Sequence, residues 1–336
     1  MLFSAVISAY LAVIVSAETP RRRTLGQLAN GTWLENILVR PNRAILATQL
    51  YREPNIWTVK TPNSRNTSLE LVTSLPSGNA AVSITRVHNI GGLESYVVLG
   101  GNFSDVEHPI PGHFTAYTLQ FFDDEVKLRR IAALGPSSIT ANGITSSDAH
   151  PGVVFIADSL AGVIGRLDVF SGRFEQGLWS YEELRAPPCC WTGVNVLKIY
   201  QSHLYWTNSD LTAVYKVPIT ASGKPVPNAV PQLVADLSKI VTSAVDNLVI
   251  DRRGNIYTTT SSDNTVIFSD AKTGESKIVA GGLEDVAQEA LTALAIGGEW
   301  PGKILLYATT SGGLGRPITN MTEGAKILAI TLKTGL

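Results

Sequence analysis

Cysteine is nearly absent from the 336 residues, with two in all, and so is methionine, also two. Two adjacent cysteines cannot supply a disulfide framework or a zinc-ribbon spacing. Charge is scarce as well: 16% of the chain is Asp, Glu, Lys or Arg, and 27 basic against 28 acidic side chains leave a net −1. That balance excludes an electrostatic nucleic-acid binder, because holding phosphates needs a basic surplus. After Ala17 no uninterrupted apolar run reaches the ~18 residues a membrane span needs. Helical periodicity is confined to Leu283–Ala290 and the stretch around Tyr181–Leu184. No Gly-x-Ser-x-Gly elbow occurs, and His88, His108, His113, His150 and His203 have neither metal-ligand nor dyad spacing.

What is present is apolar and turn-rich: 44% hydrophobic residues, 29 Gly and 17 Pro. This composition can bury a large core and is not that of a disordered chain. Met1–Ala17 carries no charged side chain, runs apolar from Leu2 to Val15 and ends Val15-Ser16-Ala17 before Glu18. It reads as a secretory signal, too short for a membrane anchor. We therefore expect a domain over residues 18–336 and delivery to the secretory pathway or secretion. Four Asn-x-Ser/Thr sequons, at Asn30, Asn66, Asn102 and Asn320, agree with that route, each beside turn-like sequence where a glycan can face solvent. Cys189 and Cys190 stand in Ala186-Pro187-Pro188-Cys189-Cys190-Trp191. Neighbouring Cα atoms ~3.8 Å apart are closer than most disulfides prefer, so a bond between them would stiffen this turn; two free thiols or redox chemistry are the other options.

A phrase of short strand, turn, Tyr- or Val-rich strand, turn and further strand recurs six times. Its first positions, Glu35, Thr85, Asn142, Asn195, Asp246 and Thr292, are 50, 57, 53, 51 and 46 residues apart. Six units near fifty residues predict an all-β chain folded as a six-bladed propeller of four-stranded blades. A double-sheet sandwich lacks so long a period.

Two of these phrases carry a resemblance. Asn142-Gly143-Ile144, followed by Phe155-Ile156-Ala157-Asp158-Ser159 and Gly162-Val163-Ile164, resembles the blade phrase of the gluconolactonase, senescence-marker-protein and strictosidine-synthase superfamily. Asp246-Asn247-Leu248, followed by Asp251-Arg252-Arg253-Gly254-Asn255-Ile256-Tyr257, is similar to its Asp-Gly-x-x-x-Asp-x-x-Gly-x-x-Tyr phrase, with Asn247 in place of Gly. The likeness spans roughly residues 33–332. It implies that Glu35, Asn142, Asn195 and Asp246 meet at one mouth of the central channel, where the superfamily holds a divalent cation. Oxygen ligands of this kind suit calcium. The same residue types at strand starts also serve as turn residues bonded to local backbone.

Departures from the lactonase pattern are specific. Glu35 lies in Leu34-Glu35-Asn36-Ile37 instead of a Pro-Glu-Gly-Pro-like phrase, Asn195 lacks its usual Gly neighbour, and Thr292-Ala293-Leu294 offers no late-blade general base. Trp33, Phe103, His113 and Trp191 fall in or beside segments that precede inner strands or flank the Gly101–Gly112 insertion, and could wall a pocket for a flat, apolar ligand. The signal, the diverged propeller and the Pro-Pro-Cys-Cys-Trp turn together resemble fungal secondary-metabolism hetero-Diels–Alderases. That resemblance implies a pericyclase joining a polyketide-derived quinone methide to a sesquiterpene alkene in the central pocket, with the four polar residues as its catalytic set and no required cofactor. A calcium-dependent lactonase or esterase is the alternative, and a non-enzymatic ligand-binding propeller the third reading. Oligomeric state is not encoded in any of these features.

Overall fold

The computed structural model describes residues 20–122, 125–315 and 317–334. The expected signal segment, Met1–Ala17, lies outside the described residues. Six four-stranded antiparallel sheets are arranged as a six-bladed β-propeller. Blade one is Trp33–Val39, Ile45–Tyr51, Asn55–Val59 and Glu70–Ser74; blade two is Ala80–Ile90, Leu93–Gly101, Thr115–Phe122 and Glu125–Ala133. Blade three is Ala141–Ser146, Val153–Asp158, Val163–Asp168 and Phe174–Trp179; blade four is Val194–Tyr200, His203–Asn208, Ala213–Pro218 and Gln232–Asp236. Blade five is Val245–Ile250, Ile256–Thr260, Thr265–Ser269 and Ser276–Gly281. Blade six takes Leu291–Trp300, Lys303–Thr310 and Gly324–Lys333 from the C-terminal end and its outermost strand, Arg21–Asn30, from the N-terminal end.

That last strand is a correction to the sequence reading, which began blade one at Glu35 and left its predecessor unassigned. Polar at most positions, Arg21–Asn30 buries only Leu25 and so lacks the apolar signal of an inner strand. Its pairing with Gly324–Lys333 ties the two ends of the chain together. The first strand of every blade contacts the first strands of both neighbours, closing an inner ring. Six apolar clusters fill the six blade interfaces, for example Leu34, Ile45 and Ala47 of blade one against Ala293, Tyr307 and Ile327 of blade six. Second strands, buried on both faces, are the most apolar; Val153–Asp158 is buried throughout, whereas the outer strand Glu70–Ser74 has no buried residue. Among the described residues the only helical turns are Glu182–Leu184 and Val286–Gln288, both inside the stretches where the sequence predicted helix. No helix among the described residues is long and apolar enough to cross a membrane.

Candidate functional site

The inner strand of each blade breaks register with its partner near its beginning. In blade one the pairs Leu34 with Gln49 and Asn36 with Thr48 leave Glu35 unpaired. Asn142 and Gly143 are skipped in blade three, Asn195 and Val196 in blade four, Asp246 and Asn247 in blade five. Blades two and six skip Val82 and Thr292. A bulge of this kind turns a side chain out of the sheet's alternation. Six bulges at one height place Glu35, Val82, Asn142, Asn195, Asp246 and Thr292 as a tier near one end of the ring. The sequence reading placed Thr85 in that series; it lies three residues further along the strand, and Val82 holds the equivalent position. The apolar alternation of Ala80–Ile90 gives no mark of where the bulge falls.

Threonines on the second strands take up the backbone groups the bulges release. Thr48 accepts from the Asn36 amide at 3.1 Å and donates to the Val82 carbonyl of blade two at 3.1 Å. Thr207 accepts from Val196 at 3.2 Å and donates to the Asp246 carbonyl of blade five at 2.6 Å. In blade six the Thr292 hydroxyl donates to the Leu34 carbonyl at 2.6 Å. Thr48 and Thr207 thus each fix their own bulge and lock it to the next blade, while Thr292, itself the bulged inner-strand residue, ties blade six to blade one. Between blades three and four the approach is closer still. A Cβ on Gly143 would stand 2.2 Å from the Asn195 carbonyl oxygen, so only glycine fits.

The polar members of the tier interact across blades. The Asn142 side-chain amide donates to Asn195 Oδ1 at 3.1 Å, and Asn195 Nδ2 donates to Ser209 Oγ at 3.0 Å. The Trp33 indole N–H donates to the Glu35 carboxylate. Burial pushes Glu35 up to about 7, against the pull of that indole bond. Burial first, and then the charge of Glu35, raise Asp246 well above the ordinary carboxylate range, with a hydrogen bond from Asn195 acting the other way. Both carboxyls are thus biased toward the protonated form, so near neutral pH the pair can hold a proton that a solvated pair would have released. The tier presents amide N–H groups and a neutral carboxyl as donors, together with oxygen acceptors. As a ligand set, Glu35, Asp246 and the two amide oxygens suit a hard divalent cation, and two carboxylates without a counter-charge are the arrangement a cation relieves.

The remaining expected site residues are more scattered. Trp33 is half-buried beside Glu35, and Trp191 is 78% exposed, its amide held by Asp210 at 2.8 Å. The sulfurs of Cys189 and Cys190 are bonded to one another on the exposed loop before Trp191. Phe103 is buried in the packing of blades two and three, edge-on to Phe114, and His113 is exposed near Asn102. Asn30, Asn66 and Asn320 are exposed and Asn102 is half-buried. Sequence reasoning missed Ser209, which anchors Asn195, because a Ser in an Asn-Ser-Asp turn carries no mark of its partner.

The chain is a six-bladed β-propeller with a polar tier near one end of its inner ring, and comparisons with known proteins bear on both. No family model matches the chain. It is 30% identical over 232 residues to "Putative hetero-Diels-Alderase asR5" of Sarocladium schorii, a match covering 62% of this chain and 57% of that protein. It is 28% identical over 316 residues to a "Putative hetero-Diels-Alderase" of a Phoma species, covering 85% and 86%. Among solved structures, a luciferin-regenerating enzyme superposes with a TM-score of 0.63 at 13% identity, over 94% of this chain and 97% of its own. Regucalcin, a calcium-binding protein of Agrobacterium tumefaciens, does so with 0.53 at 15% identity, over 92% and 96%. The expected likeness to hetero-Diels–Alderases is thus found in sequence, and the expected six-bladed propeller fold in the solved structures.

Proposed function

We propose that this protein is a pericyclase of the hetero-Diels–Alderase type, acting on two small, largely apolar reactants at the polar tier. The similarity to proteins of that name supports the reaction class. The observation that carries the site is a half-buried carboxyl pair, Glu35 and Asp246, biased toward the protonated form beside two amides. In such a cycloaddition a quinone methide contributes its carbonyl oxygen and exocyclic carbon, and an alkene contributes two carbons. One C–O and one C–C bond form, and no atom leaves. The protein has no leaving group to protonate. Its tasks are to hold the reactants in near-attack geometry and to donate a hydrogen bond to the oxygen, which makes the quinone methide a better acceptor. Asn142, through its second amide hydrogen, and the protonated carboxyl are the donors, and Asn195 orients both. Trp33, bonded to Glu35, and Trp191, on the loop before the inner strand of blade four, would supply the aromatic wall; Phe103 is taken up in the packing of blades two and three.

The test supplies purified protein with a quinone methide generated in solution and a cyclic sesquiterpene alkene, and measures a product whose mass is the sum of the two. Asn142→Ala and Asp246→Ala should each cut turnover at least about tenfold, the loss of one transition-state donor, while the proteins stay folded. Trp191→Ala should impair this reaction more than any lactone hydrolysis. Turnover should fall as pH rises through about 7, where the carboxyl pair loses its donor proton. Ligand binding without turnover would leave a binding propeller instead.

The uncompensated carboxyl pair also favours a second reading, a calcium-dependent lactonase or esterase. A cation held by Glu35, Asn142, Asn195 and Asp246 would supply Lewis-acid polarisation of a carbonyl, and hydrolysis that is lost on chelation and restored by calcium would establish it. We further propose a secretory route, supported by the Met1–Ala17 segment and the exposed sequons. N-terminal sequencing of the protein from its source should begin at Glu18.

A further inference from the structure

The inner strands run away from the carboxyl tier, and where those of blades two, three and four end, a cavity of about 960 Å³ opens. Its volume is at the upper end of the range for small-molecule sites. Blade two brings Arg86 and His88 to it, blade three Asp148 and His150, and blade four Lys198. One guanidinium, one ammonium and two imidazoles thus face a single carboxylate, in a protein whose overall charge is −1. Hydroxyls of Thr85 and Thr145 add donors, and Val87, Ile199 and Ile219 give the walls an apolar component.

Lys198 is the anomalous member. It stands in the strand Val194–Tyr200, three residues past Asn195, with no hydrogen bond or ion pair to any described residue. Burial alone pushes its ammonium down to about 8. An unpaired, desolvated ammonium is costly, and the other ionisable groups around the same space do not neutralise it. Asp148 sits at the exposed turn that follows Thr145–Ser147, and Arg86 directs its field toward Glu94 on the neighbouring strand. The missing counter-charge has room to be a ligand.

We propose that this cavity is a second binding site, distinct from the carboxyl tier, for a small organic monoanion whose carboxylate or acidic enolate pairs with Lys198 and whose body rests on the apolar wall. One unpaired ammonium calls for one negative charge. The volume far exceeds that of an inorganic oxyanion, and the mixed walls suit an aromatic or alicyclic acid. This site stands independently of the function proposed for the tier.

Calorimetric titration of the full chain with benzoate, with benzamide as its neutral isostere and with inorganic phosphate, tests it. Benzoate should bind saturably, at least tenfold more tightly than benzamide or phosphate. Lys198→Met should weaken benzoate at least tenfold, Arg86→Gln less, and Glu35→Gln not at all. Because Lys198→Met removes an unpaired, half-buried charge, it should not lower the thermal midpoint of the ligand-free protein, so lost binding is not lost folding. Equal affinity for benzoate and benzamide, unchanged benzoate binding in Lys198→Met, or no saturable benzoate binding by the unaltered chain would each overturn the proposal. Weakened binding in Glu35→Gln alone would place the anion at the tier instead.

Discussion

Glu35 is the residue at which environment most changes chemistry. Its ordinary value is 4.5, and in the folded protein burial brings it to about 7. Between those values the folded state holds a proton that the unfolded state has released, so raising the pH across this window favours unfolding. Glu35→Gln keeps an acceptor for the Trp33 indole and removes the charge that repels Asp246. It should therefore stabilise the protein at pH 8 by about 1–2 kcal/mol, less than the full shift implies because the group is only half-buried, and should bring no gain at pH 4. Thermal melts of the two proteins at both pH values check this, and a gain of equal size at both would show that burial of the charge is not the cause. Residue type made Glu35, Asn142, Asn195 and Asp246 legible as candidates, because polar groups at the starts of apolar strands stand out. Their protonation was not legible. It follows first from the burial of Glu35 and Asp246 and then from the charge of Glu35 on Asp246, and 211 positions separate the two in the chain.

Among the elements, the bulged inner strand decides what each polar residue can reach. The repeat of about fifty residues announces six strands of this kind, but a bulge is a relation between two strands, and the sequence of one does not mark it. Blade two is the example: Thr85 looked equivalent to Asn142, yet pairing with Leu93–Gly101 places the slip at Val82. Gly143 is the clearest case of an element-level requirement, since its strand lies directly on Asn195 and Val196. Gly143→Ala must push the two inner strands apart. It should cost at least about 2 kcal/mol of stability, at the upper part of the range for overpacking, and should lower turnover by pulling Asn142 away from Asn195. Thermal unfolding together with the cycloaddition assay measures both. An alanine variant as stable as the parent would mean the strands can separate freely.

For the whole molecule, ring closure rests on Arg21–Asn30 completing blade six. A chain beginning after Asn30 leaves Gly324–Lys333 as an unpaired edge with its largely buried run Ala325–Ile330 exposed to other chains. Such a truncation should melt at lower temperature and shift toward larger species in size-exclusion chromatography. Wild-type elution and melting would show that the strand is dispensable. The sequence by itself determined the all-β class, the blade number and the polar residue in four of the inner strands. Those depend on patterns repeated within about fifty residues, each buried strand recording its own environment in its composition. Tertiary structure alone decided which strand closes the ring, where each bulge falls, that burial biases two carboxyls toward the protonated form, and that Arg86, His88, His150 and Lys198 line one cavity. His88 and His150 have no informative spacing because they sit on different blades. Only the curvature of the closed ring brings such residues together, and that curvature belongs to the packing of six sheets and not to any one of them.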